Sequence, residues 1–176
     1  MDRLGRFVDQ DRDGNAGEVD DDRFAFAFRQ PPPSAITIVD DGDVGYSSVG
    51  GWNTYVGVGA QGDFAYKSVG TGSGSADWML TGLAAGQYRV SVTWESYTNR
   101  AVDATYTVLD GATVLGSLAV DQRQPPMGFS EDGVLWQDLG TYQVSGGTLV
   151  VSLSDLAGPS GSYVIADAVR VERVDP

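Results

Sequence analysis

The closing stretch of the chain reads YVIADAVRVERV over residues 163–174, and its alternating pattern is typical of a β-strand. Alternate side chains of a strand point to the same face of a sheet. One face of this strand would carry Tyr163, Ile165, Asp167, Val169 and Val171. A carboxylate on such an apolar face needs hydrogen bonds, a cation or a bulge that turns it outward, because an unpaired buried charge is costly. Asp167 is therefore expected to have a partner.

The rest of the sequence predicts an all-β protein. The 176 residues include 24 glycines, and turn residues separate many short strand-like runs. The clearest alternation lies in residues 87–97, and Asp110-Gly111 between two such runs is a strong hairpin signal. We expect about nine strands in an antiparallel two-sheet sandwich of the jelly-roll or galactose-binding-like kind, with no convincing helix.

The composition restricts the partners. The formal net charge is −13, which argues against nucleic acid, anionic membrane lipid and polyanionic polysaccharide, and is compatible with cations and neutral sugars. No run of apolar residues is long enough to span a membrane. The sequence has no cysteine and no histidine, so metal ligands would be oxygen atoms, which suit calcium.

The same composition argues against catalysis. Nucleophile pairs that need histidine or cysteine are excluded. Paired carboxylates could still act in glycoside hydrolysis, but the acidic residues lie mostly beside glycines in turns, and no pair stands out. We therefore do not expect an enzyme.

Residues 9–20 read DQDRDGNAGEVD and match the spacing of a calcium-binding loop. Asp9, Asp11 and Asp13 stand at loop positions 1, 3 and 5, the glycine at position six allows a sharp turn, and Asn15 and Asp20 could complete the ligand set. The alternative is an acidic, solvated linker, in which Asp and Gly accumulate because they favour turns. Calcium is expected, because like charges so close together are unfavourable without a counterion.

The domain limits follow from a run of three prolines at residues 31–33, which form a stiff spacer. We expect residues 36–174 to form the sandwich and residues 31–35 to be the spacer. Residues 1–30 would then be the tail of a preceding module or a linker. The charged residues directly after Met1 suggest a piece of a larger protein.

The order of several motifs shows a resemblance to a known family. The stretch from residue 38 to 171 resembles the golvesin C-terminal or xanthan lyase C-terminal type of β-sandwich domain. The motifs that carry the resemblance are VDDGDVGY at 39–46, GW at 51–52, NRA at 99–101, YTV at 106–108 before DG at 110–111, DQ at 121–122, WQDLGTY at 136–142 and ADAVR at 166–170. The resemblance implies a non-catalytic, carbohydrate-binding-like accessory domain of secreted or surface bacterial proteins, with an extracellular location.

Asp167 has three interpretations. It could accept hydrogen bonds from loop amides, or belong to a ligand site. It could also bind a second calcium ion with Asp40, Asp41 or Asp43, if the first and last strands of the sandwich are neighbours. Sugar-binding sandwiches often hold a structural calcium in a comparable position, so the resemblance also favours this ion by analogy.

The remaining candidates are aromatic and polar side chains of the predicted loops. Strand positions favour core packing for the tryptophans at 78, 94 and 136. Trp52 and Tyr55 lie in a glycine-rich loop, where they could form an exposed platform for a sugar or fold back as a plug. Arg100 could bind a carboxylate or vicinal hydroxyls, or pair with a nearby acid such as Asp103, and Asn99 could bind hydroxyls or simply form the turn.

Two functions from different classes remain open. The first is a calcium-stabilised accessory module that binds neutral polysaccharide. The second is a structural or adhesive module that contacts neighbouring domains or a protein partner without binding sugar.

Overall fold

The computed structural model describes residues 36–174. The predicted calcium loop, with Asp9, Asp11, Asp13, Asn15 and Asp20, lies outside the described residues, and so do the predicted limits of the segments 1–30 and 31–35.

Thirteen strands form nearly all the regular structure of the described residues. They are β1 Ile36–Val39, β2 Tyr46–Val49, β3 Asn53–Val56, β4 Asp63–Ser68, β5 Ser75–Thr81, β6 Gly86–Val92, β7 Ala104–Asp110, β8 Thr113–Val120, β9 Phe129–Glu131, β10 Val134–Val144, β11 Thr148–Ser154, β12 Tyr163–Ala166 and β13 Val169–Arg173. A short 3-10 turn, Ala60–Gly62, precedes β4.

The strands form two five-stranded sheets and one three-stranded sheet. The sheet orders are β1-β13-β6-β10-β9, β2-β5-β11-β7-β8 and β12-β4-β3. All pairings between these strands are antiparallel. The all-β, antiparallel sandwich predicted from the sequence is therefore confirmed. The predicted number of strands, about nine, was too low, because short strands such as β2 and β3 lie in a glycine-rich region that carries no clear alternation.

The alternation of residues 163–174 predicts one strand, but the structure has two strands there, and they belong to different sheets. β12 pairs with β4 in the three-stranded sheet, whereas β13 lies between β1 and β6. Asp167 and Ala168 lie at the crossover between them and belong to neither strand. Alternation alone cannot show a change of sheet, because the side chains on both sides of the crossover are apolar. β1 and β13 are neighbours, which is the condition set for a second acidic site.

The core contains the three tryptophans that the sequence places there. Trp78, Trp94 and Trp136 are buried. The indole of Trp78 donates a hydrogen bond to the carbonyl oxygen of Asp167 at 3.3 Å, and that of Trp94 donates to the carbonyl oxygen of Gln124 at 2.9 Å. The N–H groups of Trp78 and Trp94 are thus satisfied, whereas Nε1 of Trp136 has no partner within the described residues.

Gln122, which is fully buried, provides the backbone of β12 with hydrogen bonds that no strand provides there. Its Oε1 accepts from the N–H of Ile165 at 2.9 Å, and its Nε2 donates to the carbonyl oxygen of Ile165 at 2.7 Å. The Nε2 also lies 3.3 Å from the hydroxyl of Tyr106. A side chain therefore imitates a neighbouring strand at one residue of β12.

Replacing Gln122 by methionine should destabilise the protein by about 2–4 kcal/mol, because each buried backbone group left without a partner costs about 1–3 kcal/mol. Urea unfolding followed by tryptophan fluorescence measures the change. The matched control is Gln87→Met at an exposed position of β6, which should change the free energy of unfolding by less than about 0.5 kcal/mol. Equal effects of the two substitutions would contradict the role assigned to Gln122.

Candidate functional site

The first candidate site is a group of aspartates at one end of β1. The chain turns after β1, where the N–H of Asp43 donates to the carbonyl oxygen of Asp40 at 3.1 Å. Asp63 begins β4, and Asp167 lies at the crossover into β13. Because β1 pairs with β13, three separate parts of the chain bring carboxylates to the same end of the sandwich.

Asp40, Asp41 and Asp63 form the centre of this group, here named the acidic cluster. One carboxylate oxygen from each lies within 4.8 Å of the others. Asp40 and Asp41 are 2% and 9% exposed. Asp63 follows a glycine at the start of a strand, and sequence reasoning missed it because this position has the composition of an ordinary turn.

Asp167 and Asp43 lie beside the acidic cluster but have other hydrogen bonds. Asp167 is 1% exposed, and its Oδ1 accepts from the N–H of Ala60 at 3.0 Å. The Oδ2 of Asp43 accepts from the N–H of Asp40 at 3.0 Å and from Nε2 of Gln61 at 3.1 Å. Of the four aspartates proposed for a second site, the structure brings Asp40 and Asp41 together, and it adds Asp63.

Two oxygens of the acidic cluster are buried without a partner. Neither Oδ1 of Asp40 nor Oδ1 of Asp41 has a hydrogen bond within the described residues. Buried polar atoms are nearly always paired, and an orphaned carboxylate oxygen is costly. A bound cation would satisfy both oxygens at once.

The electrostatics of the acidic cluster indicate the same need. Burial and the neighbouring carboxylates of Asp41 and Asp63 raise the pKa of Asp40 to about 7. Burial and Asp63 raise the pKa of Asp41 to about 6. Burial raises the pKa of Asp167 to about 8 against the opposing hydrogen bond from Ala60, with added repulsion from Asp40 and Asp41. The possible metal-ligand atoms of the acidic cluster are all carboxylate oxygens, which fit a hard divalent cation.

The second candidate site is a pocket of about 500 Å³, here named the aromatic pocket. The three-stranded sheet and the segment between β6 and β7 form its walls. Its lining residues are Tyr55, Val58, Phe64, Tyr66, Glu95, Ser96, Tyr97, Asn99, Arg100 and Tyr163.

Four rings of the aromatic pocket pack in a continuous series. Tyr55 stacks on Phe64, with ring centroids 5.3 Å apart and an interplanar angle of 17°. Phe64 meets the edge of Tyr66 at 6.3 Å, and Tyr66 meets the edge of Tyr163 at 5.7 Å. Within this series Tyr55 is 53% exposed and faces solvent, and a fifth ring of the pocket, that of Tyr97, is 63% exposed.

Arg100 lies beside these rings. Its Nε donates to the carbonyl oxygen of Glu95 at 3.2 Å, and its Nη1 donates to Oδ1 of Asn99 at 2.9 Å. The guanidinium carbon lies 5.5 Å from the ring centroid of Phe64 and 5.8 Å from that of Tyr97. The alternative that Arg100 pairs with Asp103 is wrong, because the Oδ1 of Asp103 instead accepts from the N–H of Gly158 at 2.7 Å.

Backbone hydrogen bonds fix the segment that carries Arg100. The N–H of Tyr163 donates to the carbonyl oxygen of Asn99 at 3.0 Å, and the N–H of Ala101 donates to that of Tyr163 at 2.8 Å. These hydrogen bonds attach the segment to β12, so the polar wall of the pocket is preorganised for a ligand.

Three of the four sequence candidates line the aromatic pocket, namely Tyr55, Asn99 and Arg100. Trp52 lies elsewhere: it is half-buried, packs against the core and donates from Nε1 to the carbonyl oxygen of Val49 at 3.1 Å. The rings of Tyr66, Tyr97 and Tyr163 were missed, because their convergence depends on strand pairing between distant segments.

A smaller pocket of about 250 Å³ adjoins the aromatic pocket, with which it shares Glu95 and Ser96. Trp94, Pro125 and Asp167 also line it. Asp167 thus lines the small pocket and is also close enough to the acidic cluster for Asp40 and Asp41 to raise its pKa.

Comparisons with known proteins agree with this architecture. The family described as Golvesin C-terminal domain matches residues 37–173. No curated protein matches the sequence. A solved structure of a Paenibacillus xanthan lyase is similar, with a TM-score of 0.64 and 27% identity over 80% of this chain. The match covers 13% of the lyase chain, so this chain corresponds to a small part of that protein.

Carbohydrate-binding modules share the fold at lower identity. A family 35 carbohydrate binding module from an environmental isolate has a TM-score of 0.52 and 19% identity, with 77% of this chain and 91% of that chain covered. The C-terminal CBM6 of LamC from Zobellia galactanivorans has a TM-score of 0.52 and 16% identity, with 79% of this chain and 100% of that chain covered.

Within residues 36–174 the structure has no helix long and apolar enough to cross a membrane.

The raised pKa values predict how the metal-free protein responds to pH. Folded-state pKa values of about 7, 6 and 8 for Asp40, Asp41 and Asp167 exceed the ordinary value of 3.8, so the folded state binds these protons more tightly. That contribution to stability is fully present below the ordinary pKa of 3.8 and is lost progressively as the pH rises from there through the folded-state values of about 6 to 8. In excess chelator, the melting temperature should fall between pH 5 and pH 9.

Asp167→Asn keeps an oxygen for the N–H of Ala60 and removes the charge, so the fall in melting temperature between pH 5 and pH 9 should become smaller. Asp132→Asn, at an exposed loop position, should leave it unchanged. Differential scanning calorimetry at fixed ionic strength measures the slopes. A melting temperature that is constant or rises over this range would contradict the assigned electrostatics.

Proposed function

Because this chain belongs to the golvesin C-terminal domain family, we propose that it is a non-catalytic accessory module that binds carbohydrate through its aromatic pocket. The observation that carries the proposal is the exposure of Tyr55 and Tyr97 beside the polar side chains of Asn99 and Arg100. The similarity to carbohydrate-binding modules supports it. The module would belong to a larger secreted or surface protein.

The chemistry of the aromatic pocket suits a sugar. The apolar faces of a pyranose ring pack on aromatic rings, and its hydroxyl groups need directed donors and acceptors. The stacked pair of Tyr55 and Phe64 offers a supported ring, and Asn99 and Arg100 offer amide and guanidinium groups. With a formal net charge of −13, a polysaccharide of mostly neutral sugars is the expected partner.

The carboxylates of the two pockets do not suit glycoside hydrolysis. Glu95 is the one acidic side chain among the lining residues of the aromatic pocket. Asp167 lines the small pocket with it but is 1% exposed, and one of its oxygens is occupied by the N–H of Ala60. A hydrolase needs two carboxylates that both reach the scissile bond.

The acidic cluster is proposed to bind calcium for stability. Asp40, Asp41 and Asp63 would supply the ligand oxygens, and Asp167 would add negative charge nearby. The two orphaned oxygens support this assignment, and calcium suits an all-oxygen set of flexible geometry. A second calcium ion is proposed for the loop that contains Asp9, Asp11, Asp13, Asn15 and Asp20.

One observation favours the alternative function of contact with neighbouring domains. An apolar row crosses the outer face of one five-stranded sheet, where the register aligns Met79, Val150, Leu109 and Val114. Met79 and Val114 are exposed. A structural or adhesive module could pack a neighbouring domain on this row, and it would not need the aromatic pocket.

Carbohydrate binding predicts that Tyr55→Ala weakens affinity at least about tenfold, equivalent to about 1.4 kcal/mol, because the ligand loses its stacking surface. A glycan array with calcium present identifies the ligand, and isothermal titration calorimetry measures the affinity. The control is Val114→Ala, another exposed apolar side chain outside the pocket. Absence of binding to any glycan would overturn the proposal in favour of the structural alternative.

Calcium binding predicts that Asp41→Asn abolishes the site in the acidic cluster, whereas Asp11→Ala abolishes only the site in the N-terminal loop. At a calcium concentration one hundredfold above Kd, each intact site should stabilise the form that binds it by about 2.7 kcal/mol. For the acidic cluster, thermal unfolding with calcium or chelator measures the gain. For the loop, protease cleavage near residues 9–22 should increase on chelation.

The matched control for both variants is Asp132→Asn, which should keep the full calcium response. A melting temperature and a cleavage pattern that do not change on chelation would show that neither group of aspartates binds calcium under these conditions.

A further inference from the structure

Arg100 differs from the other arginines whose ion pairs are described. Arg89 pairs with Asp138 at 2.7 Å, Arg123 pairs with Asp121 at 2.7 Å, and Arg170 pairs with two glutamates. Within residues 36–174, Arg100 has no ion pair and contacts a carbonyl oxygen, an amide oxygen and two rings. In a chain with 24 acidic and 11 basic residues, a cation without an acidic partner is unusual.

The environment of Arg100 makes this arrangement costly without a ligand. The guanidinium is half-buried against rings, and burial lowers the pKa of Arg100 even though the charge of Glu95 opposes this. Arg89 shows the contrast, because the hydrogen bonds that it donates to Asp138 raise its pKa. Arg100 remains charged at any ordinary pH, so a desolvated positive charge faces the aromatic pocket.

The hydrogen-bonding capacity of Arg100 is only partly used. Of the five N–H groups of a guanidinium, one on Nε and one on Nη1 have acceptors. The N–H groups of Nη2 and the second N–H of Nη1 have no acceptor within the described residues. Adjacent donors on Nη1 and Nη2 match the two oxygens of a carboxylate, which an arginine binds in a bidentate manner.

We propose that the aromatic pocket selects a sugar that carries a carboxylate, a uronic acid residue, and that Arg100 binds this carboxylate. The inference rests on the proposed carbohydrate function and specifies the ligand of the same pocket. The sugar ring would pack on Tyr55 or Tyr97, and the carboxylate would neutralise the one cation that lines the pocket.

The overall charge limits how many carboxylates the ligand carries. A net charge of −13 repels a long polyanion, and Glu95 lines the same pocket with a negative charge of its own. One carboxylate at Arg100 is favourable, whereas a second one nearby would meet Glu95. The ligand is therefore an isolated uronic acid, at the end of a chain or on a branch of an otherwise neutral polysaccharide.

The test compares sugars that differ only at the carboxylate. Isothermal titration calorimetry with the calcium-loaded full chain would use the methyl glycosides of glucose, galactose and mannose and of their uronic acids, together with methyl-esterified uronic acids as uncharged controls. At least one uronic acid should bind at least tenfold more tightly than its neutral counterpart and its ester. This preference should decrease as the salt concentration increases.

Variants separate the role of Arg100 from general damage. Arg100→Gln should remove the preference for the acid while the weaker binding of the neutral sugar persists, and Arg100→Lys should retain part of it. Arg123→Gln, at an exposed arginine outside the pocket, should behave as the wild type. Melting temperatures of all three variants check folding.

The outcomes distinguish selection of a carboxylate by Arg100 from carbohydrate binding by the aromatic pocket. Neutral sugars that bind as tightly as uronic acids, or an Arg100→Gln variant that weakens both equally, would overturn the selection of a carboxylate and leave carbohydrate binding intact. Absence of binding to every sugar and glycan tested would overturn both.

Discussion

The hydrogen bond from the N–H of Ala60 to the carboxylate of Asp167 connects the parts of this molecule on which the proposed function depends. It attaches the turn before β4 to the crossover where the chain leaves the three-stranded sheet and enters the neighbouring sheet. β4 and β12 carry Phe64, Tyr66 and Tyr163 of the aromatic pocket, and Asp63 of the acidic cluster is the first residue of β4. A buried carboxylate with one backbone donor is incompletely compensated, so the crossover becomes more stable when the repulsion from Asp40 and Asp41 is reduced. The proposed cation in the acidic cluster would reduce this repulsion.

Charge is divided between the two sites in a simple way. The acidic cluster concentrates negative charge that a cation can neutralise, and the aromatic pocket exposes one positive charge that a ligand can neutralise. Glu95 lines both pockets, and its charge raises the pKa of Asp167 and also favours the charged form of Arg100. The charges of Asp167 and Arg100 are therefore both influenced by Glu95.

The sequence predicted the class of the fold better than its connections. Alternation and turn residues were sufficient for an antiparallel β-sandwich, and the regular pattern of residues 87–97 placed Trp94 in the core correctly. The same pattern at residues 163–174 concealed the change of sheet, because apolar side chains face the core on both sides of Asp167. Site residues close in sequence, such as Asn99 and Arg100, could be found from local chemistry. Asp63, Tyr66 and Tyr163 could not, because the pairing of β4 with β12 and the packing of β1 on β13 are long-range properties that no local pattern encodes.

The central claim is that carboxylates from separate segments meet around a cation at the crossover between the sheets. Its most direct test is anomalous diffraction at a wavelength where calcium scatters anomalously, from crystals grown with calcium. The account predicts a peak about 2.3–2.6 Å from carboxylate oxygens of Asp40, Asp41 and Asp63. An ordered acidic cluster that holds only water, or that closes on itself through protonated carboxyl groups in saturating calcium, would contradict it.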